Sequence, residues 1–347
     1  MQALRWHAAH DVRLEEVEEP PPPADGFATV AVSFCGICGS DLSEYRAGPQ
    51  LISPRTHPLT GREPPLTLGH ELSGRVTAIG GDSEIQPGAR VTADACWRCG
   101  RCEACVRGDY HLCRYGGSIG LHSDGAFAPL VQVPTYTLIS LPDAVDDQAG
   151  ALTEPLAVGL HALRRAATQP GDDVLVLGFG PIGAAAALCA SAIGARATVV
   201  ELDPERAERA DALGYATLPA GEDLPRRVRR ALGSGGADVV VESTGAVSVV
   251  PDAVECARRG GRIALVGLTG EQATIEPRRL ALFERSLVGC LGYRHDLPRV
   301  VRLAADGRID PGRLVDQVVA LDAAPDTFAE LATSPGARIK VLVDPGG

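Results

Sequence analysis

The chain has 347 residues, of which 45% are hydrophobic and 22% are charged. This length and composition suffice for two globular domains and exclude an intrinsically disordered protein. Lys and Arg number 33 against 44 Asp and Glu, for a formal net charge of −11. Because nucleic acids and anionic membrane surfaces select basic proteins, this charge argues against either as a partner.

The N-terminal segment, MQALRWHAAHDVRLEEVEE, has no apolar stretch followed by small residues. No export signal is visible in it, and we expect a cytoplasmic protein. Cysteines that cluster in a reducing compartment favour metal binding over disulfides. Five of the ten cysteines lie between Cys96 and Cys113.

The first 150 or so residues contain short β-like runs separated by Gly, Pro and Asp, which indicates a β-rich unit with long loops. The runs are Phe27–Val32, Leu72–Ile79 and Phe127–Val133.

Three segments of the N-terminal half carry side chains that suit a catalytic metal. They are Cys38 in CGICGSD, His70 and Glu71 in GHE, and Glu154 in TEP. One thiolate, one imidazole and one or two carboxylates leave an open coordination position, as a catalytic zinc requires. The spacing alone does not establish that they meet, since a single His is more often structural.

A denser group of cysteines predicts a structural zinc. Cys99, Cys102, Cys105 and Cys113 offer four thiolates, a complete tetrahedral ligand set. Cys96 continues the same three-residue step, so the spacing leaves open which four bind. A redox role for these thiols is the alternative.

From about Thr153 the pattern changes to apolar strands that alternate with helices, which predicts a parallel sheet covered on both faces. The uncharged stretch Val174–Ala195 is long enough to cross a bilayer. Glycines interrupt it, and we interpret it as a buried strand, a tight turn and a buried helix. The predicted elements are the helices Glu154–Ala167 and Pro204–Leu213 and the strands Asp173–Leu177, Thr198–Glu201, Ala237–Glu242 and Arg262–Gly267.

The turn after the first of these strands predicts a dinucleotide site. Gly178-Phe179-Gly180-Pro181-Ile182-Gly183 is a GxGxxG motif between a strand and a helix. Such a turn lets the pyrophosphate approach the backbone and the helix N-terminus. Glu201 ends the next strand, where a carboxylate accepts hydrogen bonds from the adenosine ribose. A glycine-rich turn without a cofactor is the alternative.

The choice between NAD and NADP depends on the residues that follow Glu201. This acid would repel a 2′-phosphate, and Leu202-Asp203-Pro204 supplies no immediate cation. Arg206 lies further along and weakens the argument. The sequence favours NAD.

The end of the chain predicts a final strand at Ala337–Val343. Lys340 alternates with apolar residues in this run, and we expect it to face solvent.

Together these motifs resemble the zinc-containing medium-chain dehydrogenase/reductase family over essentially the whole chain. The resemblance implies an α/β protein with a GroES-like β-rich catalytic domain and a Rossmann doubly wound parallel-sheet domain. The implied boundaries are 1–155 for the first, with a structural zinc lobe at 96–113, and 156–290 for the second. Residues 291–347 would return to the catalytic domain, and the active site would lie in the cleft.

Residue by residue, Cys38, His70 and Glu154 match the catalytic zinc ligands of the family, with Glu71 as an alternate ligand. The resemblance assigns Cys99, Cys102, Cys105 and Cys113 to the structural zinc and leaves Cys96 as an extra thiol. Glu154 in a Glu-Pro-Leu context is similar to the polyol and butanediol branches. The segment from Tyr45 to Glu71 looks closest to 2,3-butanediol dehydrogenases.

The resemblance also implies roles next to the zinc and the cofactor. Ser40 would take the alcohol proton and Asp41 would orient His70. Many relatives have a His at the position of Ser43, so the outer end of the proton relay stays open. The resemblance and the strand ends place the nicotinamide near Ser243, Thr244, Val266, Gly267 and Leu268, while the adenosine end would contact Glu201, Asp203 and Arg206.

We therefore expect a zinc-dependent oxidoreductase that transfers a hydride between NAD and a secondary alcohol, either a vicinal diol or hydroxyketone or a polyol. Two zinc ions per chain and a homodimer or homotetramer are implied. The alternatives are a dehydrogenase of a cyclic polyol, an aminocyclitol or another biosynthetic intermediate, and a zinc- and nucleotide-binding protein without turnover. The walls of the substrate pocket come from distant loops, so the sequence does not select the substrate.

Overall fold

The structure, a computed structural model, describes residues 1–233, 235–334 and 336–346. The chain divides into two units. The first comprises Met1–Glu154, Leu297–Pro335 and Lys340–Gly347, and the second comprises Pro155–Asp296 and Gly336–Ile339. The second unit thus ends at Asp296 rather than at 290 and regains four residues just before the last strand.

The first unit is rich in β-structure, as the sequence predicts. Its strands are β1 (Gln2–Ala8), β2 (Asp11–Glu16), β3 (Phe27–Gly36), β4 (Leu66–Thr67), β5 (Glu71–Ile79), β6 (Arg90–Ala93), β7 (Cys96–Trp97), β8 (Gly117–Ser118), β9 (Leu130–Pro134), β10 (Leu138–Ser140), β17 (Val315–Ala320) and β18 (Lys340–Asp344). Its helices are α1 (Gly39–Ala47), α2 (Glu103–Val106), α3 (Asp147–Ala151), α10 (Leu297–Ala305) and α11 (Ala324–Thr333).

The main sheet of this unit has the order β10-β6-β5-β3-β18-β17, and β9 also pairs with β3. Strand β3 is central because it pairs antiparallel with β5, β9 and β18. Alternate β3 residues such as Ala28, Val30 and Val32 are buried in the core, which fits a strand with one face against the interior. The last strand of the chain therefore lies beside the strand that leads to Cys38.

The second unit is a six-stranded parallel sheet with the order β13-β12-β11-β14-β15-β16. From β11 the chain adds strands on one side of the sheet up to β13 and then on the other side from β14 to β16. The position between β11 and β14 is therefore the switch point where doubly wound sheets bind ligands. Its strands are β11 (Asp173–Leu177), β12 (Arg196–Glu201), β13 (Ala216–Pro219), β14 (Ala237–Glu242), β15 (Ala257–Leu265) and β16 (Ser286–Gly289). Its helices are α4 (Thr153–Arg165, whose first two residues belong to the first unit), α5 (Pro181–Ala192), α6 (Pro204–Ala212), α7 (Leu224–Leu232), α8 (Val249–Cys256) and α9 (Pro277–Ala281).

The stretch Val174–Ala195 contains strand β11, a turn and helix α5, as the sequence predicts. In the described parts of the chain, no helix combines the length and the apolar character that a membrane crossing requires.

Candidate catalytic metal centre and dinucleotide site

Cys38 lies in the first unit at the junction between β3 and α1. The side chain of Asp41, one turn into α1, accepts a hydrogen bond from the Cys38 backbone N–H at 3.0 Å. Because an acceptor at this position satisfies a free N–H group of the helix start, the CGICGSD segment fixes where the Cys38 thiol lies.

His70 faces the same helix through both ring nitrogens. Its Nε2 lies 3.3 Å from the Ser40 hydroxyl, and its Nδ1 lies 3.6 Å from Asp41 Oδ1. Burial lowers the pKa of His70, but the negative charges of Asp41, Cys38 and Glu154 outweigh burial and raise it well above its usual value. The imidazole is thus surrounded by negatively charged groups, and these groups favour a positive charge at this place.

A metal ion fits this arrangement. His70 Nδ1 and Asp41 Oδ1 are both buried, and neither has a hydrogen-bond partner among the described residues. A cation bound at Nε2 would keep the proton on Nδ1, directed at Asp41, which is the usual environment of a metal-binding histidine. The role of Asp41 in orienting His70, which the resemblance implies, stays a prediction.

The ligand atoms of Cys38, His70 and Glu71 lie within 4.8 Å of one another. Glu154 lies in the first turn of α4, is 8% exposed, and contributes to the electrostatic environment of His70. The start of this helix is held in the first unit, because the Thr153 hydroxyl lies 2.8 Å from the hydroxyl of Thr92 in β6. The structure thus groups Cys38 and His70 most tightly with Glu71, the residue that the resemblance names as the alternate ligand.

The expectation that Lys340 faces solvent is wrong. Lys340 is 3% exposed. Its ammonium group donates to both Glu71 carboxylate oxygens at 2.7 Å and to the Ile37 carbonyl at 3.1 Å. Burial lowers the pKa of Lys340, but the charges of Glu71 and Cys38 outweigh it and raise the pKa. Lys340 is the residue near this centre that sequence reasoning missed.

Gly36 makes this ion pair possible. It lies on β3 between Glu71 of β5 and Leu342 of β18, to which it is paired. A Cβ atom at Gly36 would lie 2.1 Å from Glu71 Oε2. The absent side chain therefore leaves the space that the Glu71 carboxylate occupies.

The four cysteines of the predicted structural lobe converge. The sulfur atoms of Cys99, Cys102, Cys105 and Cys113 lie within 4.8 Å of one another. Two of the distances are 3.8 and 4.0 Å, close to the edge of about 3.8 Å in a tetrahedron with Zn–S bonds of about 2.3 Å. Backbone N–H groups of Cys105 and Arg114 lower the pKa of Cys102 to about 6, whereas burial and the neighbouring thiols raise the pKa of Cys105 to about 12.

Cys96 stands outside this group. It lies in β7, where burial and the nearby Asp94 raise the pKa of its thiol well above the usual value. The structure therefore groups Cys99, Cys102, Cys105 and Cys113 and leaves Cys96 apart, and the assignment of these four residues to a zinc ion stays a prediction.

In the second unit, the glycine motif forms the turn from β11 into α5. Gly178 has a φ of +87°, a conformation that glycine adopts without strain. A Cβ atom at Gly183 would lie 1.9 Å from the Gly178 carbonyl oxygen, so only glycine allows the helix to pack this closely. A Cβ atom at Gly180 would have no neighbour within 4 Å. Space therefore remains above the helix N-terminus, where Pro181 and Ile182 begin α5.

Glu201 lies at the end of β12 beside this turn. Its carboxylate accepts hydrogen bonds from the backbone N–H groups of Phe179, Leu202 and Asp203 at 2.6, 2.7 and 3.0 Å. Asp203 in turn accepts from the N–H of Arg206, whose guanidinium donates to the Gly336 carbonyl at 3.0 Å. The carboxylate is thus fixed near the turn, while the guanidinium of Arg206 is engaged with the Gly336 carbonyl.

The loops after β14 and β15 meet at the same edge of the sheet. Glu242, 1% exposed, accepts hydrogen bonds from the N–H groups of Thr244 and Gly245 at 2.7 and 3.1 Å. A Cβ atom at Gly267 would lie 2.2 Å from the Gly245 nitrogen, so the two loops are in contact. The structure therefore brings together the segments that contain Ser243, Thr244, Val266, Gly267 and Leu268.

Comparisons with known proteins agree with both units. The family model of the alcohol dehydrogenase GroES-like domain matches residues 24–143, and that of the zinc-binding dehydrogenase matches residues 181–306. The (R,R)-butanediol dehydrogenase of Bacillus subtilis is 34% identical over 99% of this chain and 100% of its own length. A sorbitol dehydrogenase of the same organism is 30% identical over 99% of this chain and 97% of its own.

A crystal structure of 2R,3R-butanediol dehydrogenase from Bacillus subtilis superimposes with a TM-score of 0.92, covering 99% of each chain at 34% identity. The GroES-like unit, the Rossmann unit and the two groups of metal-binding side chains define a zinc-dependent alcohol dehydrogenase. The chain belongs to the zinc-containing medium-chain dehydrogenase/reductase family.

Proposed function

We propose that the protein catalyses the NAD-dependent, reversible oxidation of a secondary alcohol, with a vicinal diol and its hydroxyketone as the preferred pair. The observation that carries the proposal is the convergence of Cys38, His70 and the Ser40 hydroxyl in the first unit. The names of the similar butanediol and sorbitol dehydrogenases support a diol or polyol over a simple primary alcohol.

In the proposed mechanism, Cys38, His70 and Glu154 would hold the catalytic zinc, and Glu71, which the structure groups with Cys38 and His70, would be an alternate ligand. Zinc supplies a Lewis acid that lowers the pKa of an alcohol hydroxyl. Ser40, 3.3 Å from His70 Nε2, is placed to accept the hydroxyl proton. Asp41 holds the His70 ring through Nδ1 and so maintains the orientation of the ligand nitrogen.

The proton leaves Ser40 by water or by the ribose hydroxyls of the cofactor. Ser43 follows three residues later on α1 and replaces the histidine that many relatives have there. Because a serine hydroxyl does not titrate in the neutral range, Ser43 adds no proton reservoir. A bound nicotinamide would supply the hydride acceptor, and the loops around Ser243, Thr244, Val266, Gly267 and Leu268 would orient it.

NAD is the proposed cofactor because Glu201 is the charged group fixed at the end of β12. A 2′-phosphate at this position would face a carboxylate that three backbone N–H groups already hold in place. Arg206 is directed to the Gly336 carbonyl. Both features favour ribose hydroxyls over a phosphate.

The experiment is a substrate panel with the purified, zinc-loaded chain. It measures NADH and NADPH formation with stereoisomers of 2,3-butanediol, linear polyols, cyclic polyols and primary alcohols. We expect the highest kcat/KM with a vicinal diol and NAD. A preference for a cyclic polyol or aminocyclitol would favour the alternative of a dehydrogenase for such a substrate. Two bound zinc ions with no NADH from any alcohol would favour a binding protein without turnover.

A matched pair of variants ties any activity to the proposed centre. His70→Ala is expected to abolish NADH formation and release one zinc ion, because it removes a ligand. His7→Ala removes a histidine whose Nε2 pairs with Glu15 at 2.9 Å, away from the centre, and is expected to keep both properties. Full activity in His70→Ala would refute the assignment.

We further propose a cytoplasmic homodimer or homotetramer that acts on a small-molecule alcohol or ketone, without nucleic acid or membrane as partner. The acidic net charge and the family resemblance support this proposal. Size-exclusion chromatography with light scattering tests the assembly.

A further inference from the structure

Glu242, at the end of β14 in the second unit, is a buried carboxylate that a loop compensates. The residue is 1% exposed. Its Oε1 atom accepts hydrogen bonds from the Thr244 N–H at 2.7 Å, from the Gly245 N–H at 3.1 Å and from the Thr244 hydroxyl. In the part of the chain that the structure describes, no cationic side chain contacts this carboxylate. Because a buried charge is costly unless hydrogen bonds compensate it, the carboxylate and loop 243–245 hold each other in place.

The backbone of Glu242 holds the neighbouring loop. Its carbonyl accepts hydrogen bonds from the N–H groups of Val266 at 2.9 Å and Gly267 at 3.1 Å, directly after β15 ends. A Cβ atom at Gly267 would lie 2.8 Å from Glu242 Oε2 and 2.2 Å from the Gly245 nitrogen. The missing side chain at Gly267 therefore allows both loops to close on the carboxylate.

Ser243 connects the same place to the glycine motif. Its backbone N–H donates to the Leu177 carbonyl at 3.1 Å, and its hydroxyl oxygen lies 2.9 and 3.2 Å from the carbonyl oxygens of Leu177 and Gly178. A Cβ atom at Gly178 would lie 2.8 Å from Thr244 Cγ2. The segments that follow β11, β14 and β15 thus meet at Glu242, beside the switch point of the sheet.

The two ends of a bound dinucleotide would depend on different parts of this edge. Glu201 follows β12 and the glycine motif follows β11, so both belong to one side of the switch point. The loops after β14 and β15 belong to the other side, where the nicotinamide end would lie. A loop that must be ordered during binding lowers the affinity, and a loop that is already ordered does not. Glu242 would therefore favour the nicotinamide end and leave the adenosine end unaffected.

We propose that Glu242 is a positioning residue that fixes the loops after β14 and β15 in one arrangement before the cofactor binds, and so raises the affinity for its nicotinamide end alone. The carboxylate acts through the loops and does not itself contact the cofactor. This inference rests on the proposed dinucleotide site of the second unit and is independent of the catalytic metal.

The test measures the binding of NADH and of ADP-ribose, which lacks the nicotinamide ring. It compares the wild type with Glu242→Ala, Glu242→Gln and the control Asp238→Ala. Isothermal titration calorimetry gives both dissociation constants, the emission of bound NADH reports the surroundings of the nicotinamide, and urea denaturation gives stability. Asp238 is a matched control because it lies near the other end of β14, where it pairs with Arg258 at 2.5 Å and accepts the Asp173 N–H at 2.9 Å.

In Glu242→Ala the dissociation constant of NADH is expected to rise at least about tenfold, because the loops must then be ordered during binding. That of ADP-ribose should stay within about twofold, because this ligand does not require those loops. The emission of bound NADH should move towards that of free NADH. Glu242→Gln retains an acceptor oxygen for the loop and should bind NADH within about threefold of the wild type. Asp238→Ala should unfold at a lower urea concentration and keep both affinities.

Wild-type affinity for NADH in Glu242→Ala would overturn the inference. An equal loss of NADH and ADP-ribose affinity would overturn it too, because general damage weakens both ends. So would a Glu242→Gln variant as weak as Glu242→Ala, because the charge rather than the hydrogen bonds would then matter.

Gly267→Ala provides a second route if Glu242→Ala does not fold. Its Cβ atom, 2.2 Å from the Gly245 nitrogen, would separate the two loops and leave the carboxylate in the chain. We expect the same selective loss of NADH affinity. Unchanged NADH affinity in folded Gly267→Ala, or an equal loss for ADP-ribose, would overturn the inference.

The wild type separates this inference from the proposed function. If the wild type binds both ligands and Glu242→Ala binds both equally well, only the role of Glu242 is refuted. If the wild type binds neither ligand, the dinucleotide site is refuted and the role of Glu242 with it.

Discussion

At the scale of single residues, the first unit concentrates its chemistry in one turn of helix. Ser40 and Asp41 follow Cys38 after a single glycine, and each faces a different nitrogen of His70. A hydroxyl and a carboxylate at adjacent positions can thus divide two tasks, proton acceptance and ring orientation.

Ser40→Ala is expected to reduce kcat by about 10²-fold or more, because the first proton acceptor is lost. NAD affinity should stay unchanged, since the glycine motif and Glu201 lie in the second unit. Steady-state kinetics and NADH fluorescence titration measure the two quantities. Ser43→Ala on the same helix is the matched control, with kcat expected within twofold. Unchanged turnover in Ser40→Ala would remove Ser40 from the relay.

Two glycines of the dinucleotide motif are expected to separate stability from cofactor binding. Gly183→Ala places a Cβ atom 1.9 Å from a backbone oxygen and should destabilise the chain by about 1–3 kcal/mol. Gly180→Ala meets no atom within 4 Å, so stability should change by less than about 0.5 kcal/mol. It should nevertheless weaken NAD binding at least tenfold, since the pyrophosphate approaches the backbone there.

Urea denaturation of the free chain and NADH fluorescence titration distinguish these effects. The explanation would be contradicted if Gly180→Ala bound NADH as the wild type does. It would also be contradicted if Gly183→Ala unfolded at the urea concentration of the wild type.

The residues that carry a motif were predictable from sequence, and those that only support it were not. Cys38, His70 and Gly178 stand in patterns whose chemistry demands those residue types. Lys340 stands in an alternating strand where a lysine most often faces solvent. Its burial depends on Gly36 and Glu71, distant positions that strand pairing brings beside it. A buried acid paired with a glycine on the neighbouring strand is visible only once the register is known.

At the scale of elements, the predicted strands and helices are present, but several ends differ. Strand β15 begins at Ala257, five residues before the predicted start. The sequence did not predict its first part because Arg258, Arg259 and two glycines do not follow an apolar pattern. Strand β9 begins at Leu130, because the backbone N–H of Phe127 donates to Leu68 outside the main sheet. The hydrophobic pattern located each element, and hydrogen-bond partners from distant segments determined its ends.

The structural zinc lobe is an element whose stability depends on its four thiolates. Cys102→Ser should release one zinc ion per chain and lower Tm by about 5 °C or more, because the regular structure described in and beside the lobe consists of short elements: helix α2, a 3-10 helix at Tyr110–Leu112 and the two-residue strands β7 and β8. Zinc analysis and circular dichroism melting measure both effects. Cys96→Ser is the control and should keep two zinc ions, because Cys96 stands outside the group. Zinc loss in Cys96→Ser would show that the ligand assignment is wrong.

At the scale of the whole molecule, each unit is built from segments that are distant in sequence. The first unit contains both ends of the chain, so β18 can supply Lys340 to a centre that β3 and β5 begin. The second unit runs from Pro155 to Asp296 with a short later addition at Gly336–Ile339. The main segment of this unit ends at a buried carboxylate, Asp296.

Asp296, the last residue of the main segment of the second unit, is fully buried and contacts two residues in the second half of α4. Its oxygens contact His161 Nδ1 at 2.9 Å and the Arg164 guanidinium. The contacts join the end of this segment, at Asp296, to the helix near its beginning. Asp296→Asn should destabilise the chain by about 3 kcal/mol, because it leaves buried donors facing a neutral group.

The effect of Asp296→Asn should depend on pH with a defined sign. Burial raises the pKa of Asp296, but hydrogen bonds from His161 and Arg164 outweigh it, so the net pKa is lowered. A carboxyl group whose pKa is lowered by folding stabilises the folded state above its ordinary pKa of about 3.9, and the contribution disappears as pH falls through the lowered value. Urea denaturation should therefore show a constant difference between wild type and variant from neutrality to about pH 5, and a shrinking one below about pH 4. Asp223→Asn is the matched control in the same unit, because Asp223 and Arg226 form an exposed pair at 4.0 Å and its loss should change stability by less than about 0.5 kcal/mol. Equal effects of the two substitutions would mean that Asp296 does not hold the ends of the segment together.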